Sequence, residues 1–128
     1  MRWYVDSSAL IKLFVEEQES AVLDEHLDRH QPELVACHLL ETEARRAASR
    51  LGAPQSSVTQ ALAEVNLYDV DQTLFRQAGH LPGASLRSLD AIHLVAALSL
   101  DVDAVLTYDT RLAESAELIG LPTVSPGR

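Results

Sequence analysis

Apolar and polar positions along the chain follow two rhythms. Trp3-Tyr4-Val5 is a short β-prone run stopped by Asp6-Ser7-Ser8, a cluster suited to capping a helix start. Leu10, Ile11 and Phe14 then recur at helical spacing. Residues 18–30 predict a polar helix with Val22, Leu23 and Leu27 as a thin apolar stripe, broken by Pro32. Leu34-Val35-Ala36-Cys37 reads as a second buried strand. Across residues 38–51, Leu40, Ala44, Ala47, Ala48 and Leu51 keep a 3.6-residue period, and Gly52 supplies the stop. A helix over 55–64, a strand at 65–68 and a helix over 72–80 follow. The segment 81–87, with Pro82 and Gly83, is a loop, and 89–100 is apolar almost all round, which predicts a helix buried on most sides. A strand at 104–107, a helix over 110–119 ended by Gly120-Leu121-Pro122, and a last edge strand at Thr123-Val124 complete the chain.

Strands alternating with helices imply parallel pairing through right-handed crossovers. The fold class is α/β, an α/β/α layered arrangement, and the 128 residues are expected to form a single domain, 1–128. Hydrophobic residues at 47% and charged residues at 23% argue against disorder. Aromatics at 5% leave little for base-stacking platforms. Ten Lys and Arg against nineteen Asp and Glu give a formal charge of -9, which excludes nucleic-acid binding by bulk charge and leaves cation binding open. One cysteine excludes a disulfide framework and a multi-cysteine zinc site. A carboxylate at position 6 comes too early for a signal peptide, and no apolar stretch has the length a bilayer needs. A cytoplasmic location is expected.

Four acids stand out. Asp6 follows the first predicted strand, where ligands of a parallel sheet bind. Asp109 repeats that strand-acid-helix arrangement after the strand at 104–107. Asp90 lies in the first turn of the most apolar helix, where the helix dipole supports its ionised form. Glu43 lies between Leu40 and Ala47 on an apolar face, away from Arg45 and Arg46, so it must be paired, protonated or bound to a metal. Each has a plainer alternative: a helix cap for the three aspartates, a structural salt bridge for Glu43. Converging carboxylates raise one another's pKa, and Mg²⁺ or Mn²⁺ with oxygen ligands resolves that conflict better than zinc. Glu41, two positions from Glu43, is the solvated comparison.

Other candidates carry less. Cys37 ends an apolar run and reads as a small buried hydrophobe. His26 and His30 have i, i+4 spacing but share a charged helix with no third ligand in view. His93 reads as a satisfied core histidine, and Lys12, the only lysine, as an exposed side chain. The five glycines are scattered and form no phosphate-cradling motif.

Taken together, the acidic segments resemble a known family. Val5-Asp6-Ser7-Ser8-Ala9-Leu10-Ile11-Lys12-Leu13 resembles the opening motif of PIN-domain ribonucleases, specifically VapC-type toxins of bacterial toxin–antitoxin modules. The run 39–47 (LLETEARRA) is similar to their second motif, with Glu43 in the acidic position. The runs 86–94 (LRSLDAIHL) and 105–112 (VLTYDTRL) resemble the third and fourth. His38 departs from the serine that many relatives carry before the second motif. The resemblance implies a compact PIN fold with about five parallel strands, and Asp6, Glu43, Asp90 and Asp109 lining one pocket that holds Mg²⁺ or Mn²⁺. It implies an endoribonuclease that hydrolyses RNA phosphodiester bonds by metal-activated water, a homodimer, and a VapB-type antitoxin whose C-terminal segment blocks the pocket. Asp6 and Asp90 are the expected direct ligands. Ser8 and Thr107 are expected to support the acids through their hydroxyls, and Arg45, Arg46, Arg76 and Arg87 to form a rim for phosphates.

Two rivals come from other classes. A phosphorelay receiver needs paired N-terminal acids and a late lysine, whereas Asp6 precedes serines and no lysine follows Lys12. A catalytically silent PIN-like module that only binds a partner would keep the fold without the chemistry. Metal-dependent RNA cleavage separates it from the enzyme.

Overall fold

The computed structural model describes residues 1–128. Strands Arg2–Val5 (β1), Glu33–Cys37 (β2), Val65–Tyr68 (β3), Ala104–Leu106 (β4) and Thr123–Val124 (β5) form one sheet in the order β3-β2-β1-β4-β5. Every neighbouring pair is parallel. Helices Ser7–Ile11 (α1), Ser20–His30 (α2), Leu39–Leu51 (α3), Gln55–Leu62 (α4), Gln72–Ala78 (α5), Ser88–Ser99 (α6) and Thr110–Leu118 (α7) fill the crossovers that parallel pairing requires. The α/β class and the five-stranded sheet expected from the periodicities are therefore present.

The central strands are buried along nearly their whole length, as strands covered on both faces must be. Tyr4, Val5, Val35, Ala36, Val105 and Leu106 are all fully buried. Helix α6 puts Ala91, Leu94, Val95, Ala96 and Ala97 inside, which explains its apolar composition. A small satellite of Ala78, Ala91 and Val95 lies where α5 packs on α6. No helix is long and apolar enough to cross a membrane.

Two local expectations change. Helix α1 stops at Ile11, so Phe14 packs from a turn rather than a helix, and α2 starts at Ser20 instead of residue 18. The cause is Ser20, whose Oγ accepts from the Glu17 amide and donates to the Val15 carbonyl, folding the intervening segment back. Lys12 is also not free. It is largely covered and paired with Glu19 at 2.8 Å and Glu17 at 3.2 Å. Burial opposes its charge, but the hydrogen bonds with Glu19 and Glu17 outweigh that and raise its pKa.

The strand order decides where a site can form. From β1 the sheet runs outward through β2 and β3 on one side and through β4 and β5 on the other. This reversal opens a crevice beyond the carboxyl ends of β1 and β4. Asp6 follows β1 directly, and Asp109 lies just beyond β4.

Candidate active site

Asp6 leaves β1 in an extended conformation and caps α1, with Oδ1 accepting from the Ala9 amide at 3.1 Å. Its side chain is buried and held by two hydroxyls: Ser8 Oγ donates to Oδ1 at 2.7 Å and Thr107 Oγ1 donates to Oδ2 at 2.6 Å. Burial raises its pKa despite these three donors, each of which favours the charged form. The hydroxyl oxygens in turn accept backbone amides, Tyr108 N at Ser8 (2.9 Å) and Asp109 N at Thr107 (3.0 Å). Ser8 and Thr107 thus tie the end of β1 to the end of β4, and Thr107 is completely buried.

Asp109 is the N-cap of α7. Its Oδ1 accepts from the Arg111 and Leu112 amides at 2.9 and 3.2 Å, which leaves Oδ2 for another partner. The C-terminal segment clamps this region. Ser125 Oγ donates to the Thr107 carbonyl at 2.5 Å, Tyr108 OH donates to the Pro126 carbonyl at 2.7 Å, and the Arg128 guanidinium donates to the Tyr108 carbonyl.

Asp90 lies half-buried in the first turn of α6. Burial raises its pKa, the negative charge of Asp109 raises it further, and Glu43 adds to the effect against the opposing influence of His93. Glu43, on α3, meets His93 of α6, whose Nε2 donates to Oε1 at 2.6 Å. The buried imidazole reaches Tyr4 OH through Nδ1 at 2.7 Å. Burial disfavours its charge, but contacts with Cys37 and Glu43 push its pKa up to about 10. The salt bridge admitted for Glu43 exists. His93 is satisfied in the core, as expected, but its partner is one of the four acids.

The charges of Asp109 and Glu43 each disfavour the ionised form of Asp90, and His93 favours the ionised forms of both Asp6 and Asp90. No three His, Cys, Asp or Glu side chains are arranged to hold one metal ion as they lie. The donor chemistry nonetheless suits a hard cation. The acids offer only oxygen, and Mg²⁺ binds through one or two carboxylates while keeping several waters. The cap and site readings of the aspartates are not exclusive, because capping occupies one oxygen of Asp109. A cleft of about 780 Å³ lies between the end of α1, α2 and α4 and includes none of the four acids.

Of the four arginines, Arg46, Arg76 and Arg87 are exposed. Arg45 is held by Glu41 at 2.8 Å, with further bonds to Gln55 and Thr59, so it serves the junction of α3 and α4. Glu41 is accordingly ion-paired, though still partly solvated. His38 lies exposed beside Asp69 and makes no side-chain cap for α3. His26 stacks on Trp3, and His30 packs at a tilt against both rings. Cys37 is buried, but its thiol contacts Tyr4 OH at 3.2 Å. Tyr4 and the His93–Glu43 contact escaped the reading of the sequence. A signal existed: Tyr4 is two residues before Asp6 on one strand face, and His93 is three after Asp90 on one helix face.

Comparison with known proteins matches residues 3–118 to the PIN domain family. Ribonuclease VapC46 of Mycobacterium tuberculosis is 37% identical over 126 residues, covering 96% of each chain. Ribonuclease VapC35 of the same species is 38% identical over 133 residues, covering 98% of this chain and 97% of the relative. Among solved structures, M. tuberculosis VapC20, described as a sarcin-ricin loop cleaving toxin, superposes with a TM-score of 0.77 at 16% identity, covering 97% of this chain and 99% of that one. A chain of a toxin–antitoxin complex from Klebsiella pneumoniae gives 0.69 at 22% identity, covering 96% of both chains. The fold, the order of the acidic segments and the full-length similarity place this chain in the PIN domain family, as a relative of the VapC ribonucleases.

Proposed function

We propose that this chain is a metal-dependent endoribonuclease, the toxin of a VapBC-type toxin–antitoxin module, acting as a single domain in the cytoplasm. The observation that carries this reading is the joining of the Asp6 and Asp109 segments at the ends of β1 and β4 through Ser8 and Thr107, with the charges of Asp109 and Glu43 both acting on Asp90. The carboxylates carry an anionic excess that a divalent cation offsets. Asp6 and Asp90 would hold Mg²⁺ or Mn²⁺, with Glu43 and Asp109 completing the site. The bound ion supplies charge neutralisation at the phosphoryl oxygens and makes water easier to deprotonate.

The residues of the chain do the rest. Ser8 and Thr107 fix Asp6 and favour its charged form. Glu43 Oε2 and Asp109 Oδ2, left over from the His93 pair and the α7 cap, hold the attacking water, and one of the two carboxylates accepts the single proton it loses. Arg46, Arg76 and Arg87 receive phosphates at the rim. A homodimer doubles that rim. The matching inhibitor is a VapB-type antitoxin whose C-terminal segment places an arginine against Asp6, Asp90 or Asp109 in place of the ion, since Arg binds carboxylates bidentately.

The test is incubation of the purified chain with cellular RNA in Mg²⁺, in Mn²⁺ and in EDTA, followed by mapping of fragment ends. Discrete ends are expected with either metal and none with EDTA. RNA left intact under every metal condition would favour the module that only binds a partner. Full activity without metal would overturn the mechanism.

A further inference from the structure

Beneath the acids runs a buried polar chain that the proposed chemistry does not itself use. Glu43 is the acid with the longest side chain, and it comes from a helix that supplies none of the others. Its Oε1 is taken by His93 Nε2 at 2.6 Å. The imidazole is fixed on its far side by Tyr4 OH at 2.7 Å and by edge-to-face packing on the Tyr4 ring, 5.6 Å between centroids. Tyr4 has no exposure, and its hydroxyl accepts from the Cys37 amide at 3.2 Å while its oxygen lies 3.2 Å from the Cys37 thiol. Four elements (β1, β2, α3 and α6) are joined by this one chain.

The proton arrangement is determined on the Glu43 side. An ionised Glu43 only accepts, so Nε2 carries hydrogen whether the ring is neutral or charged. If the ring is neutral, Nδ1 accepts from Tyr4 OH. If it is charged, Nδ1–H donates to the Tyr4 oxygen, and the hydroxyl hydrogen turns to Cys37 Sγ. Both arrangements leave every buried polar atom paired, and the structure has no buried side-chain nitrogen or oxygen without a partner. The contact with Glu43 is therefore independent of the ring's charge.

We propose that His93, anchored by Tyr4, is a positioning residue that locks Glu43 through Oε1 and presents Oε2 alone to the reaction. This rests on the ribonuclease reading of the acidic crevice. The spacing supports it: on β1 and on α6, the anchor lies one step below an acid, Tyr4 under Asp6 and His93 under Asp90. A histidine needed only to fill the core would not require its outer nitrogen aimed at a partly exposed carboxylate.

Two substitutions divide the ring's functions. His93→Gln places an amide nitrogen near the Nε2 position and keeps a donor for Glu43. His93→Asn places one near Nδ1 and loses that donor. Both leave a void, so both should unfold at lower urea concentration than the wild type. Three readouts are taken where each protein is folded: urea midpoint, kcat and KM on RNA, and Mn²⁺ affinity from the paramagnetic resonance of free Mn²⁺ without RNA. His93→Asn should lose about 10-fold or more in kcat and in Mn²⁺ affinity, the range for removing a group that orients a ligand, with KM little changed. His93→Gln should recover most of both losses. Equal kcat and equal Mn²⁺ affinity in the two variants would overturn the proposal. If neither folds, Tyr4→Phe replaces them. It keeps the His93–Glu43 pair but frees the ring, and unchanged kcat and Mn²⁺ affinity there would likewise overturn it. A wild type that cleaves no RNA would remove the ribonuclease reading, while the Mn²⁺ comparison would still decide the positioning role.

Discussion

A carboxylate has two oxygens, and the proposed site divides them between scaffold and chemistry. Asp109 gives Oδ1 to the start of α7 and Glu43 gives Oε1 to His93. Asp90 bears the cost of the crowding, since burial and then the charge of Asp109 disfavour its ionised form. Asp90→Asn should therefore stabilise the metal-free protein at neutral pH, by no more than about 1 kcal/mol once solvent screening is allowed for. The same substitution should abolish the rise in melting temperature that saturating Mg²⁺ gives the wild type. Thermal unfolding in EDTA and in Mg²⁺ measures both, and a destabilised Asp90→Asn with a normal Mg²⁺ response would return Asp90 to a first-turn role. The four candidate acids stand out in the sequence because each lies where a strand ends, a helix starts or an apolar face is interrupted. The His93–Glu43 contact could not. Fifty residues separate the two, and only the crossover from β3 to β4 brings α6 against α3.

Among the elements, α5 and α7 provide a natural comparison. Both are short, and both begin at an aspartate whose Oδ1 accepts amides of the first turn, Asp71 from Leu74 at 2.9 Å and Asp109 from Arg111 and Leu112. Only Asp109 follows a strand at the sheet's switch point. Asp71→Ala should cost about 0.5–2 kcal/mol of stability, the usual loss for a removed cap, and leave cleavage intact. Asp109→Asn keeps a capping oxygen and should cost little stability while losing cleavage. Urea unfolding alongside an RNA assay checks the pair, and the reverse pattern would show that the cap is all Asp109 provides. Periodicity located α3, whose buried residues keep the helical spacing, while β1, β2, β4 and α6 were legible as continuous apolar runs because they are covered on most sides. Both signals missed the start of α2, which depends on the side chain of Ser20 bonding to backbone rather than on hydrophobic spacing. They also could not reveal that Arg45 and Lys12 are committed to neighbours, because such pairings depend on which helices become adjacent.

At the scale of the whole molecule, a formal charge of -9 means RNA is drawn in by few contacts rather than by a basic face. If Arg46, Arg76 and Arg87 supply the phosphate contacts, log affinity for single-stranded RNA should fall with log salt at a slope of roughly -2 per chain, from about -0.7 for each of three contacts. Fluorescence anisotropy with the inactive Asp6→Asn protein measures this, and a much steeper slope would reveal a basic surface other than this rim. The same net charge favours a cationic inhibitor. Antitoxin affinity should fall with added Mg²⁺ more steeply than with NaCl of equal ionic strength, because ion and arginine compete for the same acids. Identical dependence on the two salts in a binding titration would place the antitoxin elsewhere. The central claim is that the four carboxylates form one metal-dependent catalytic site, and initial rates of RNA cleavage in saturating Mg²⁺ test it most directly. Asp6→Asn and Asp90→Asn should each lower the rate by about 100-fold or more, since the charge stabilisation a metal ion supplies is worth several kcal/mol, and Glu43→Gln and Asp109→Asn should also lose cleavage. Glu41→Gln should leave the rate unchanged. Folded Asp6→Asn and Asp90→Asn proteins that cleave at the wild-type rate would contradict it.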